Sequence, residues 1–159
     1  YLPCGSDDEI YFDALLPLIK SITNMNYQFI CCSVMAGLKK RSPKRVAILA
    51  LSCSRFVSSH SVGTLISRRL HIDYGYYDTS YQILADSKFL KITAQHGAER
   101  LLFPNIVLGN FCLDGVSTRN KRTGIIEAFR YQVETGSSPK LQKVFYWARL
   151  VKLKLSRIS

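Results

Sequence analysis

Three aspartates and one histidine occupy positions where carboxylate and phosphate chemistry could be done. Asp7 and Asp8 stand side by side in Cys4-Gly5-Ser6-Asp7-Asp8, His60 lies in Ser58-Ser59-His60-Ser61, and Asp86 closes Ile83-Leu84-Ala85-Asp86. Adjacent carboxylates can hold a hard divalent cation that also grips phosphate oxygens. This pair follows the apolar stretch Tyr1-Leu2-Pro3-Cys4, which reads as a strand end, the place where α/β sheets bind ligands. The same two acids also suit a plain helix cap. Asp86 falls in the first or second turn of a helix expected over Ile83 to His96, where residues three and four apart share a face. It therefore lies over Phe89 and Leu90, on the apolar side. An acid there is either an ordinary partner of the helix N-terminus, contributing roughly a few tenths of a kcal/mol to ~1, or a desolvated carboxylate tuned toward a general base. His60, among serines, is a cation ligand, a donor to an anion or a polar loop residue.

The elements that must position these groups can be read from periodicity and turn residues. A helix is expected over Ile10 to Thr23, with Asp7 or Asp8 near its start, followed by a buried strand over Tyr27 to Val34. Leu38 to Arg45, basic and containing Pro43, reads as a loop. Val46 to Leu51 suits a strand or a short helix, and Thr64 to Ser67 is strand-like. Asp73 to Ser80 is turn-rich and leads into the Asp86 helix, which Gly97 stops. One or two short strands fall within Leu101 to Leu108, a Gly-punctuated loop spans Gly109 to Ser117, and two helices cover Gly124 to Thr135 and Leu141 to Ser156. Such alternation predicts a mixed α/β domain. In the last helix Leu141, Val144, Phe145, Ala148, Val151 and Leu155 line one face, with Trp147 beside them. Lys152-Leu153-Lys154-Leu155 alternates instead as an extended segment does.

The chain of 159 residues is 47% hydrophobic and 21% charged, a globular rather than a disordered composition. No apolar run approaches the roughly 20 residues of a membrane span. Five cysteines without C-x-x-C spacing argue against a disulfide framework and a zinc site, and read as buried thiols. The net charge of +11 points to an anionic partner. It is segregated: after Glu134 no acid occurs, while Lys140, Lys143, Arg149, Lys152, Lys154 and Arg157 follow.

In order along the chain, Gly5-Ser6-Asp7-Asp8, Ser59-His60-Ser61, Gly75 to Tyr81 with Asp86 five residues on, and Gly115-Val116-Ser117 resemble the second half of a family 2 glycosyltransferase. The likeness covers about residues 2 to 120 and rests on motif order and spacing. It implies the C-terminal portion of a GT-A-like mixed sheet flanked by helices, over residues 1–135, with residues 136–159 forming a basic, partly amphipathic helix. It implies Asp86 as catalytic base, Asp8 as ligand of a divalent cation (Mg or Mn), and Asp7 as its companion near the nucleotide. His60, Arg55 and Ser117 are expected at the donor or acceptor. The implied partners are a nucleotide-diphosphate sugar and a saccharide or lipid-linked acceptor, with polysaccharide biosynthesis as the setting and no nucleic acid. The nucleotide-binding βαβ half of such a domain is not in this sequence, so the chain is expected to be a truncated domain in which Tyr1 to Cys4 is a central strand without its neighbours.

A basic tail with Trp147 and Phe145 adds an anionic membrane surface as a further partner, at roughly 1 kcal/mol per basic residue near the surface. The expected location is then cytoplasmic, peripheral on the inner face of the membrane. The alternative reading is a basic nucleic-acid-binding module or a metal-dependent nuclease using Asp7, Asp8 and Asp86. Charge favours it equally, but no RNP-like, zinc-finger or helix-turn-helix signature accompanies it. A third reading is a membrane-surface protein without chemistry.

Overall fold

Phe29-Ile30-Cys31-Cys32 lies at the centre of the molecule because it is apolar on both sides of the chain. Successive strand residues point to opposite faces. Phe29 and Cys31 join Ile66, Leu70, Phe89, Leu90 and Ala94 in one cluster, while Ile30 and Cys32 join Leu15, Leu18 and Leu108 in another. A strand buried on both faces reads as an unbroken apolar run. The computed structural model describes residues 1–45, 56–96, 100–113 and 115–156.

In chain order the elements begin with β1 (Glu9–Ile10), α1 (Phe12–Ile22), β2 (Phe29–Cys31), β3 (Ser33–Ala36), β4 (Lys39–Arg41), β5 (Lys44–Arg45) and β6 (Phe56–Val57). A 3-10 turn (Ser61–Gly63), β7 (Thr64–Ile66), α2 (Arg69–Tyr74), α3 (Ala85–Gln95), β8 (Leu101–Leu102) and β9 (Val107–Asn110) follow. The chain continues with α4 (Val116–Arg119), α5 (Lys121–Glu134) and α6 (Pro139–Leu155). One sheet has the order β1-β9-β3-β4 and a second β7-β2-β8, each with one parallel pair, β3 with β9 and β2 with β8. Leu15 and Leu18 of α1 cover one face of β2, and Leu70 of α2 with Phe89, Leu90 and Ala94 of α3 cover the other. The architecture is mixed α/β, with mixed sheets flanked by helices.

Several local expectations are corrected. Tyr1 to Cys4 is not a central strand: Tyr1 alone exchanges both backbone hydrogen bonds with Ile66, each 2.8 Å, at the open side of β7. The first helix starts at Phe12, capped by Tyr11 without a side-chain bond, and β1 separates it from Asp7 and Asp8. Those acids are therefore not its cap. The single strand expected over Tyr27 to Val34 is divided at Cys32, whose N–H turns to the Gly63 carbonyl (2.7 Å). The basic run is strand rather than loop over Lys39–Arg41, on the edge of the four-stranded sheet. Three exposed cations there hide its period and discourage pairing with another edge. The expected loop over Gly109 to Ser117 gives its first two residues to β9 and its last two to α4. Val46 to Leu51 and Cys53 lie outside the described residues. Cys31 and Cys32 are buried, and burial raises their thiols to about 12 and about 11, whereas Cys4 is exposed and Cys112 half-buried.

The last helix also differs from expectation. α6 remains helical through Leu155, and of its residues Gln142 is the buried one. Val144, Val151 and Leu155 of the apolar face, and Trp147 beside it, are 56–63% exposed. Among the described residues no helix is long and apolar enough to cross a membrane.

Candidate active site

The turn ahead of β1, the stretch Ser58 to Ser61 after β6, the loop after β9 and the start of α3 surround a cavity of about 590 Å³. Asp7, Asp8, His60, Asp86 and Ser117 all line it. Arg55 lies outside the described residues. The acid pair sits on a turn in which Asp8 N–H donates to the Gly5 carbonyl (3.3 Å) and Gly5 N–H donates to Asp8 Oδ2 (3.0 Å). A Cβ on Gly5 would stand 3.0 Å from Asp8 Oδ2 and 3.1 Å from Asp7 Oδ1. The missing side chain is what lets both carboxylates fold over this one residue.

His60 stands at the head of the 3-10 turn and stacks on Phe111, with ring centroids 4.3 Å apart and planes 9° apart. Arg41 lies 5.0 Å from the same Phe111 ring. The turn is drawn against β3: a Cβ on Gly63 would come within 2.6 Å of Val34 Cγ1 and 2.9 Å of the Cys32 carbonyl, so glycine alone permits that approach. Ser59 Oγ donates to the Cys32 carbonyl (2.5 Å) and Thr64 Oγ1 to the His60 carbonyl (2.8 Å). His60 Nδ1 is 4.0 Å from Asp8 Oδ2, an ion-pair distance without a hydrogen bond. Burial lowers the His60 pKa from its ordinary value, and Asp8, Asp86 and Asp7 pull it back upward.

Asp86 is the second residue of α3. Its Oδ1 accepts from Ser87 N–H (2.6 Å) and Ser87 Oγ (3.3 Å). Desolvation raises its carboxyl above the usual carboxylate range, against those two bonds and the attraction of His60. That is the direction a general base working near neutrality requires. The segment before it is anchored by ion pairs: Lys88 Nζ bonds Asp78 Oδ2 and Glu134 Oε2, each at 2.7 Å, and Tyr81 hydroxyl donates to Glu134 Oε2 at 2.7 Å.

Among the described residues no three His, Cys, Asp or Glu side chains form a group able to hold a metal ion. Two adjacent carboxylates do fit a cation such as Mg, which keeps several waters and is held by one or two carboxylates plus substrate phosphates.

A second cavity of about 510 Å³ adjoins the first and shares Ile83, Leu84 and Ser117 with it. Ile125, Ala128 and Leu153 give it an apolar lining, and Lys121, Arg149 and Lys152 contribute its cations. Reading the sequence did not find Phe111 or Gln82, the latter another lining residue of the first cavity. Neither carries a signal that separates it from ordinary core or loop.

Compared with known protein families, curated proteins and solved structures, the chain matches none.

Proposed function

We propose that this chain is the C-terminal part of a GT-A-like, family 2 type glycosyltransferase domain, transferring a sugar from a nucleotide-diphosphate donor to a hydroxyl acceptor. The observation that carries this reading is the gathering of Asp7, Asp8, His60, Asp86 and Ser117 around one cavity of about 590 Å³. An acid pair suited to a phosphate-bound cation there faces the same space as a carboxylate of raised pKa.

Asp86 accepts the proton of the acceptor hydroxyl as that oxygen bonds to the anomeric carbon. The bond from that carbon to the diphosphate oxygen breaks on the opposite side, so configuration is inverted. Asp8, with Asp7 beside it, would hold the divalent cation, which when bound supplies charge neutralisation to the diphosphate. His60, flat on Phe111, and Ser117 bound the space left for the two substrates. The neighbouring apolar cavity with its three cations suits an acceptor bearing an apolar tail and a phosphate, and favours a lipid-linked acceptor over a free saccharide. The outward apolar residues of α6 and its lysines support an anionic membrane surface as the setting.

Titration of UDP, GDP and dTDP into the protein, with and without Mn, tests the acid pair. One of them should bind in a Mn-dependent manner, and Asp8→Ala should remove the Mn dependence together with the binding. Binding unaffected by chelation in the wild type would reject the cation site.

A further inference from the structure

The loop that delivers Asp86 is held from behind by one carboxylate. Glu127 lies on α5 and is 6% exposed. Its Oε1 accepts from Gln82 N–H (2.7 Å), and its Oε2 accepts from both Ile83 N–H and Leu84 N–H (2.9 Å each). Three successive amides therefore converge on one buried anion, just ahead of Ala85, where α3 begins. The helix has no side-chain cap of its own, because Leu84 occupies the N-cap position. Hydrogen bonds to an ionised carboxylate are roughly twice as strong as neutral ones, and a buried carboxylate of this kind is stable only while its partners stay in place.

The same helix ties α3 further along. Glu134 bonds Lys88, and Gln132 Oε1 accepts from the buried Lys91 Nζ at 2.8 Å. α5 thus runs alongside α3 as a splint, with Glu127 at the catalytic end. Ile83 and Leu84, whose amides Glu127 grips, line both cavities and form the wall between them. Asp86 follows that wall by two residues, so the backbone at 82–84 governs how its carboxylate enters the cavity.

We infer that Glu127 is a positioning residue for Asp86, fixing the 82–84 backbone so that the carboxylate is presented to the acceptor hydroxyl. The inference rests on the glycosyl-transfer reading for its kinetic consequence, but the clamp itself can be observed without activity. Amide hydrogen exchange at Gln82, Ile83 and Leu84, together with steady-state kinetics, tests it in Glu127→Gln and Glu127→Asp. Glu127→Gln replaces one acceptor oxygen by a donor, and Glu127→Asp keeps the charge but falls one methylene short. Both should lose protection at the three amides while amides of β2 and β3 keep theirs. Both should lower kcat by about 10²-fold, the cost of a misplaced catalytic group, with donor KM unchanged.

A fall in melting temperature with kcat per folded molecule unchanged would reduce Glu127 to a structural tie and overturn the inference. Wild-type kcat in Glu127→Asp would also overturn it, since charge without reach would then suffice. Fast exchange at 82–84 in the wild type would remove the clamp outright. Protected amides in a wild-type protein that transfers no sugar would instead reject the function and leave the clamp standing.

Discussion

Helices α3 and α6 sit differently in the same fold. α3 buries residues toward two neighbours: Phe89, Leu90 and Ala94 join the cluster over β2, while Lys91 reaches Gln132 and Ser137. α6 leans on α5 with Gln142 buried and leaves Val144, Trp147, Val151 and Leu155 outward. The difference lies in what each neighbour offers. Against β2, α3 meets an apolar surface, and its apolar residues face inward. At the turn between α5 and α6 the buried groups are Gln132, Ser137 and Gln142, all polar. Burying a polar group requires a hydrogen bond, and Gln132, Ser137 and Lys91 bond one another there. Farther along, α6 meets α5 with half-buried apolar residues as well, Tyr146 against Phe129 and Leu153 beside Ile125 and Ala128, and the outward stripe is what this contact leaves over.

The contrast sharpens if the outward stripe of α6 has a use. Co-sedimentation with anionic vesicles should fall by at least about tenfold in Trp147→Ser with Val151→Ser, since fully burying one such side chain contributes about 1.5–3 kcal/mol. Neutral vesicles should bind the wild type weakly. Equal pelleting of wild type and variant on anionic vesicles would make α6 an ordinary solvated helix.

A smaller effect is expected on the α3 side. Glu134 is held down to about 2, first by its bond from Lys88 and then by those from Tyr81 and Arg130. A carboxylate whose folded pKa is depressed stabilises the fold fully above its unfolded value and loses that contribution as pH falls toward the folded one. Melting temperature should therefore drop as pH is lowered from about 4.5 toward 2, and less steeply in Glu134→Gln. At neutral pH the substitution should destabilise by no more than about 1 kcal/mol, because the ion pair is partly exposed and screened. Identical acid slopes in the two proteins would exclude Glu134 from the splint.

How much of this was readable beforehand follows from the range of each interaction. The position of Asp86 in the first turn of a helix needed only helical spacing, and the buried strand needed only its apolar run. Both follow from neighbours within a few residues. Glu127 lies 43–45 residues from the amides it holds, and in the sequence it is one more acid on a helix. The turn Gly5-Ser6-Asp7-Asp8 suited a cap or a cation site equally, until β1 was found between it and the helix. Lys39–Arg41 reads as loop because an edge strand of three cations shows no alternation. Which side of α6 faces inward depends on its contact with α5 through Tyr146 and Leu153, and hydropathy along the helix carries no sign of that partner.

Glycosyl transfer here stands or falls with Asp86 as the base. Turnover of Asp86→Asn is compared with that of the wild type, with donor affinity measured alongside. The expected result is a loss in kcat of about 10²–10⁴-fold with donor affinity intact. Turnover close to that of the wild type would contradict the account.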